Sequence, residues 1–224
     1  MAEFLDRLVE VGPELATSLW QTVLMLLIAI PIAVGLGTPL GIWLHTHGPR
    51  GLQHTPRIHR IVDAIVNVVR SFPFLILLIA IIPFTRFVVG TTIGTAAVIV
   101  PLTINAIPYF ARFVEQNLGQ LDPGVVEAAR AMGATRGQII RDVLLVDAKP
   151  AIVGSATIMT VSFISYSAMA GLVGGGGIGD FAIRYGYYRY ELPLMVVAIV
   201  LMIALVAVVQ TGGARWARAL DKRR

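Results

Sequence analysis

Residues 19–44 read LWQTVLMLLIAIPIAVGLGTPLGIWL, with no Asp, Glu, Lys or Arg anywhere between Glu14 and Arg50. A helix rises about 1.5 Å per residue, so about 20 apolar residues cross the roughly 30 Å hydrocarbon core of a bilayer. This stretch is long enough to cross, and too long for the apolar core of a cleaved leader. The residues before it (Glu3, Asp6, Arg7, Glu10 and Glu14) are mostly acidic, where a leader would be basic. It is expected to be a retained span.

The same pattern recurs along the chain. Charge-free intervals lie between Arg86 and Arg112, between Lys149 and Asp180, and between Glu191 and Arg215, each longer than a crossing requires. The interval between Arg70 and Arg86 is too short, so its span must begin near Arg60 and carry Asp63, Asn67 and Arg70 in its first turns. Five spans are expected, near 19–44, 61–83, 87–110, 151–173 and 192–212, in a single all-α transmembrane domain covering 1–224. Composition agrees: 56% of residues are hydrophobic and 14% charged, against about 25% charged in soluble domains. Mean hydropathy is +0.78. There is no cysteine, which excludes disulfides, thiolate metal sites and cysteine nucleophiles.

Charge placement sets the expected topology. Of 18 Lys and Arg, all but Arg7, Arg86, Arg184 and Arg189 fall in the loop near 45–60, the stretch 112–149 or the C-terminal tail, or close beside them. The positive-inside rule puts those regions in the cytoplasm, the N-terminus outside and the C-terminus inside. The +5 net charge thus follows membrane topology, and a nucleic-acid partner is not expected. Pro31, Pro39, Pro73, Pro101 and Pro108 punctuate the spans, and Gly37 and Gly41 stand at close-packing spacing.

The stretch 112–149 carries the most chemistry. Asp122-Pro123 reads as an N-cap with proline at the first helical position. Gly133 is placed to end that short helix, and Thr135 with Gln138 forms a capping box that opens a second. Ile139, Ile140, Val143 and Leu144 share one face of it. Physics alone leaves two readings open: an interfacial hairpin on lipid headgroups, or a docking element for a soluble partner.

Glu127-Ala128-Ala129, then Gly133, then Val143 and Leu145 resembles the E-A-A, G, I-x-L-P signature of ABC-importer permeases, at matching spacing throughout. Val143 replaces the isoleucine and Val146 stands where proline is usual. The resemblance runs from the first span to the fifth. At Arg70–Phe74, Ile82–Arg86, Glu127–Thr135 and Tyr166–Met169 the chain is similar to the methionine-importer branch. It implies a type I importer permease fold in a bacterial inner membrane. It also implies that Glu127, Ala128, Ala129, Gly133, Val143 and Leu145 couple the chain to an ATPase. The implied partners are a second copy of the chain, two ATP-binding cassette subunits, an extracytoplasmic substrate-binding protein and surrounding lipid. ATP and Mg would sit on the ATPase, with no cofactor on this chain.

Residue chemistry agrees on the energy source. No G-x-x-x-x-G-K-[ST] occurs, and Gly174–Gly177 lacks both a following Lys-Ser/Thr and a preceding strand, so it is expected to be a flexible loop. No ionisable residue lies mid-membrane to couple protons or sodium. Asp63, Asn67 and Arg70 share a helix face, as a charge network or as a gate at the cytoplasmic mouth. Asn105, Tyr166, Ser167 and Met169 either bond between helices or line the translocation path, where ring and thioether suit a methionine side chain. His45, His47, His54 and His59 do not have standard zinc spacing, and no metal site is expected. No catalytic constellation is present. The expected function is import of a small amino acid, foremost methionine. Alternatives are another amino acid or small peptide, or an ATP-independent channel or secondary carrier.

Overall fold

The computed structural model describes residues 2–49, 51–53 and 55–221. His54 of the histidine set, and Arg50, Lys222, Arg223 and Arg224 of the charge count, lie outside the described residues. Every regular element among the described residues is helical. Among the described residues, four helices are long and apolar enough to cross a membrane. They are α1 (Ala2–His47), α5 (Thr95–Gly119), a continuous run over Arg136–Val173, and α10 (Leu192–Leu220). A fifth candidate is a pair, α2 (Pro56–Ser71) and α3 (Phe74–Ala80), bent by 103°.

The second span, expected over 61–83 with Pro73 inside it, is thus a broken pair of helices. Pro73 has no N–H to give and disfavours helical backbone at Phe72, so the helix stops at Ser71 and restarts at Phe74. After Ile81 a short α4 (Ile82–Val89) follows, with Pro83 in its first turn and Gly90 ending it at φ +77°. Gly94, at φ +89°, holds the next turn. The third span therefore begins at Thr95 rather than near 87.

The fourth span also differs. α7 (Arg136–Gln138) runs through a π-helical turn, Ile139–Leu144, directly into α8 (Leu145–Ala170). The second helix of the 112–149 stretch is thus the first turns of the fourth span. The fifth span continues to Leu220, past the expected 212.

The chain packs as two compact units. The first comprises 1–31, 72–105 and 160–209. Its core gathers Val11 and Leu15 of α1, Ile178, Phe181 and Tyr185, and Leu194 and Ala198 of α10. The glycine run is ordered, against the expectation of a flexible loop. Gly174, Gly176 and Gly177 hold positive φ, and Gly94 N–H donates to the Gly174 carbonyl at 2.9 Å. The short helix α9 (Gly177–Phe181) starts with its first N–H groups donating to Gln21 Oε1 and Thr22 Oγ1 of α1, at 2.8 and 2.9 Å. Those orphan donors of a helix start need such partners. An ion-pair set ties the following π-helical turn, Ala182–Tyr188, and Glu191 to α1. Arg184 and Tyr185 donate to Glu14, and Arg7 donates twice to Glu191 at 2.9 and 3.0 Å.

The second unit comprises 32–71, 106–159 and 210–224. Here α1 crosses α5 closely. A Cβ on Gly37 would stand 2.8 Å from the Ile107 carbonyl oxygen, and one on Gly41 would strike the Ala111 carbonyl. The small-residue spacing read from sequence serves this crossing. Leu44, Val66 and Ala111 form the adjoining core, with Trp43 and Val62 packed against it.

Candidate functional site

α6 (Pro123–Ala131) is built as its sequence dictates. Asp122 is the N-cap, its Oδ1 accepting from Gly124 N–H at 2.8 Å, and Pro123 opens the helix. Gly133 takes φ +82°, a left-handed backbone that costs a side-chain-bearing residue roughly 1–2 kcal/mol. Gly133 and Ala134 N–H groups close the helix end by donating to the carbonyls of Arg130 and Ala129. Thr135 N–H donates to Gln138 Oε1 at 2.8 Å, and Gln138 N–H returns to Thr135 Oγ1. The two helix ends are locked into one rigid corner.

The faces of this element divide its work. Ala129, Ile139 and Leu144 are buried, and Ile140, Val143 and Leu145 are half-buried. The apolar stripe of the second helix is therefore spent on packing. Glu127, Ala128, Arg130 and Met132 are exposed, Met132 by 82%. Met132 was not singled out in the sequence, although a large apolar residue beside a helix-ending glycine was the available signal. Glu127 and Arg130 also face a cleft of about 780 Å³, whose walls include His45, Arg112, Glu115 and Leu144.

Arg112 organises the polar cluster deeper in this unit. Its Nη2 donates to Asp63 Oδ1 at 2.6 Å and to Asn67 Oδ1 at 2.8 Å, and its Nη1 to Glu115 at 2.6 Å. Asn67 also donates to Asp63 at 3.1 Å. The structure brings Asp63 and Asn67 together, as their shared face implies, whereas Arg70 lies over the Tyr109 ring, 5.2 Å from its centroid. Reading α2 alone found one side of this cluster. Arg112 and Glu115, three residues apart on α5, are the residues that reading missed.

The other candidate residues belong to the first unit. Asn105 is buried, with Oδ1 unpartnered. Tyr166 stacks on Phe74 at 5.1 Å and meets the edge of Phe163 at 4.9 Å, joining α3 to α8. Ser167 is buried and donates its hydroxyl to the Ile164 carbonyl at 2.7 Å, while Met169 is 45% exposed. Among the histidines, His47 and His59 stack on Trp43, at 4.6 and 6.4 Å. The described residues hold no group of three His, Cys, Asp or Glu placed to bind a metal.

Residues 37–224 match the family of binding-protein-dependent transport system inner membrane components. The chain belongs to this family. The permease is 52% identical over 209 residues to the probable D-methionine transport system permease protein MetI of Vibrio cholerae serotype O1, covering 93% of each chain. It is 45% identical over 157 residues to the D-methionine transport system permease protein MetI of Escherichia coli strain K12, covering 70% of this chain and 72% of that one. A solved inward-facing conformation of the MetNI methionine ABC transporter contains a chain of the same fold, with a TM-score of 0.92 and 42% identity, covering 95% of this permease and 99% of that chain. The permease is therefore an all-helical, multi-pass inner-membrane component of an ABC transporter, and a transport subunit rather than an enzyme.

Proposed function

We propose that this permease carries methionine inward across the membrane, as one of two identical subunits driven by a separate ATPase. The observation that carries the proposal is the capped corner α6–Gly133–α7. It is rigid, presents Glu127, Ala128 and Met132 outward, and continues without a break into α8. A helix offered this way suits a helix-in-groove contact. Hydrolysis of ATP on two partner subunits, which hold the nucleotide and Mg, supplies the energy. This chain's part is mechanical: α6 receives the displacement, the Thr135–Gln138 box prevents the corner from opening, and the helical run from Arg136 conducts movement into the span. Arg112, bonded to α2 through Asp63 and Asn67, keeps α5 and α2 moving together.

Methionine is favoured because relatives more than 40% identical that align over nearly the whole chain belong to methionine transporters. The basic loops support a cytoplasmic α6 and an N-terminus outside, where an extracytoplasmic binding protein would deliver substrate. The test is uptake of radiolabelled methionine into proteoliposomes holding this chain, its ATPase and its binding protein, with Glu127→Arg beside it. ATP-dependent uptake that the substitution abolishes, together with ATPase association, supports the reading. Uptake without ATPase would sink the importer mechanism, and ATPase association without methionine movement would reassign the substrate.

A further inference from the structure

Five helical threonines satisfy their hydroxyls locally. Thr17, Thr38, Thr46, Thr103 and Thr157 each donate to the carbonyl four residues back, at 2.6–2.9 Å. Thr85 of α4 does not. It is 4% exposed and its Oγ1 has no partner. The residue lines a small cavity of about 10 Å³, together with Thr92, Gly94, Ala97, Pro101 and Gly175.

A second polar group belongs to the same cavity wall. Pro101 has no N–H, so the Ala97 carbonyl lacks the helical partner that residue 101 would otherwise provide. Ala97 is itself 4% exposed. An unmade bond at a buried hydroxyl or carbonyl costs about 1–3 kcal/mol, and more in an apolar membrane setting where bulk water does not reach. Thr85 and Ala97 both line this one small, partly open space, and leaving the hydroxyl of one and the carbonyl of the other unbonded is costly. The cavity matches the space one water needs, roughly 10–15 Å³ on this measure, and a buried water typically makes two to four hydrogen bonds. A metal cation of similar size requires about six oxygen ligands, more than this wall supplies.

We infer that one ordered water occupies this cavity, donating to the Ala97 carbonyl and bonding the Thr85 hydroxyl, with Thr92 as the adjacent polar neighbour. It pins α4 to α5 where the broken second span turns back toward the third. Direct backbone bonding there is sparse: the Gly94–Gly174 bond belongs to the loop, and among the described residues no backbone bond outside the helices joins α4 to α5.

The inference gives a sign that a simple packing role does not. Valine has the shape of threonine without the hydroxyl. With no water present, Thr85→Val removes a stranded polar group and raises the melting temperature. With the water present, it strips one of the water's partners and lowers the melting temperature, while Thr85→Ser stays near wild type. Thermal unfolding of the detergent-purified permease reads this directly. X-ray hydroxyl-radical footprinting of the wild type supplies a second reading, since a bound water gives fast oxidation of Leu78 despite its burial. A lower melting temperature for the valine variant only, with fast local labelling, supports the inference. An unchanged or higher value for valine overturns it, as does equal loss in valine and serine variants without labelling. A melting temperature that depends on sodium, with the dependence lost in Thr85→Val, assigns the cavity to a cation and also overturns it.

Discussion

Single residues in this permease are constrained by closeness more than by charge. Gly41 and Gly35 lie in the same helix and read alike in the sequence, yet a Cβ on Gly41 meets the Ala111 carbonyl and Val114, whereas one on Gly35 meets nothing within 4 Å. Overpacking against backbone costs about 1–3 kcal/mol, and alanine in place of an unconfined helical glycine gains up to about 1 kcal/mol. Gly41→Ala should therefore lower the melting temperature by several degrees and Gly35→Ala should leave it level or raise it, as measured by thermal unfolding in detergent. Equal effects of the two would remove the close helix crossing as the reason for Gly41. Arg112 teaches the complementary lesson: its role is invisible until α2 and α5 are seen side by side.

Elements show how the local code and the tertiary contacts divide. The α6 corner was legible because its determinants are adjacent in sequence: an N-capping Asp122, Pro123, Gly133, and the Thr135–Gln138 box all act within four residues. The bend between α2 and α3 was not, because the same Pro73 is tolerated within a membrane helix or breaks it, according to what surrounds it. The corner carries a prediction of its own. Gly133→Ala forces a left-handed alanine at a cost of roughly 1–2 kcal/mol, and Thr135→Ala removes a cap worth about 1 kcal/mol. Both should reduce methionine transported per ATP hydrolysed in proteoliposomes, with the ATPase still bound. Gly133→Asn, which tolerates that backbone, should lose less. If Asn is as damaging as Ala, the backbone angle is not what matters at this position.

At the scale of the whole molecule, the first unit is fastened by charges that join its first helix to the segment before α10. Two hydrogen bonds from Arg7 hold the Glu191 carboxyl below the usual glutamate range. Because its folded pKa is depressed, the stability it contributes is fully present above the ordinary glutamate value of about 4.3 and is lost as pH falls through the lowered one. Arg7→Gln should lower the melting temperature at pH 7 and flatten its fall on acidification below about pH 4, followed by calorimetry across that range. Parallel curves for the two proteins would show that this pair does not carry the acid response.

The membrane character, the approximate crossings, the capped α6–Gly133–α7 corner and the absence of a phosphate-binding loop all came from the linear sequence. Each rests on spacing and hydropathy within a few turns, and those survive whatever packs around them. Tertiary structure decided the broken second span, the merging of α7 with the fourth span, the ordered glycine turn and the Arg112 cluster. The reason is physical: Gly175 is confined by Val98, and Gly177 N–H finds Gln21 across 156 residues of chain. Local rules describe which backbone angles glycine and proline allow, but only distant neighbours select among them.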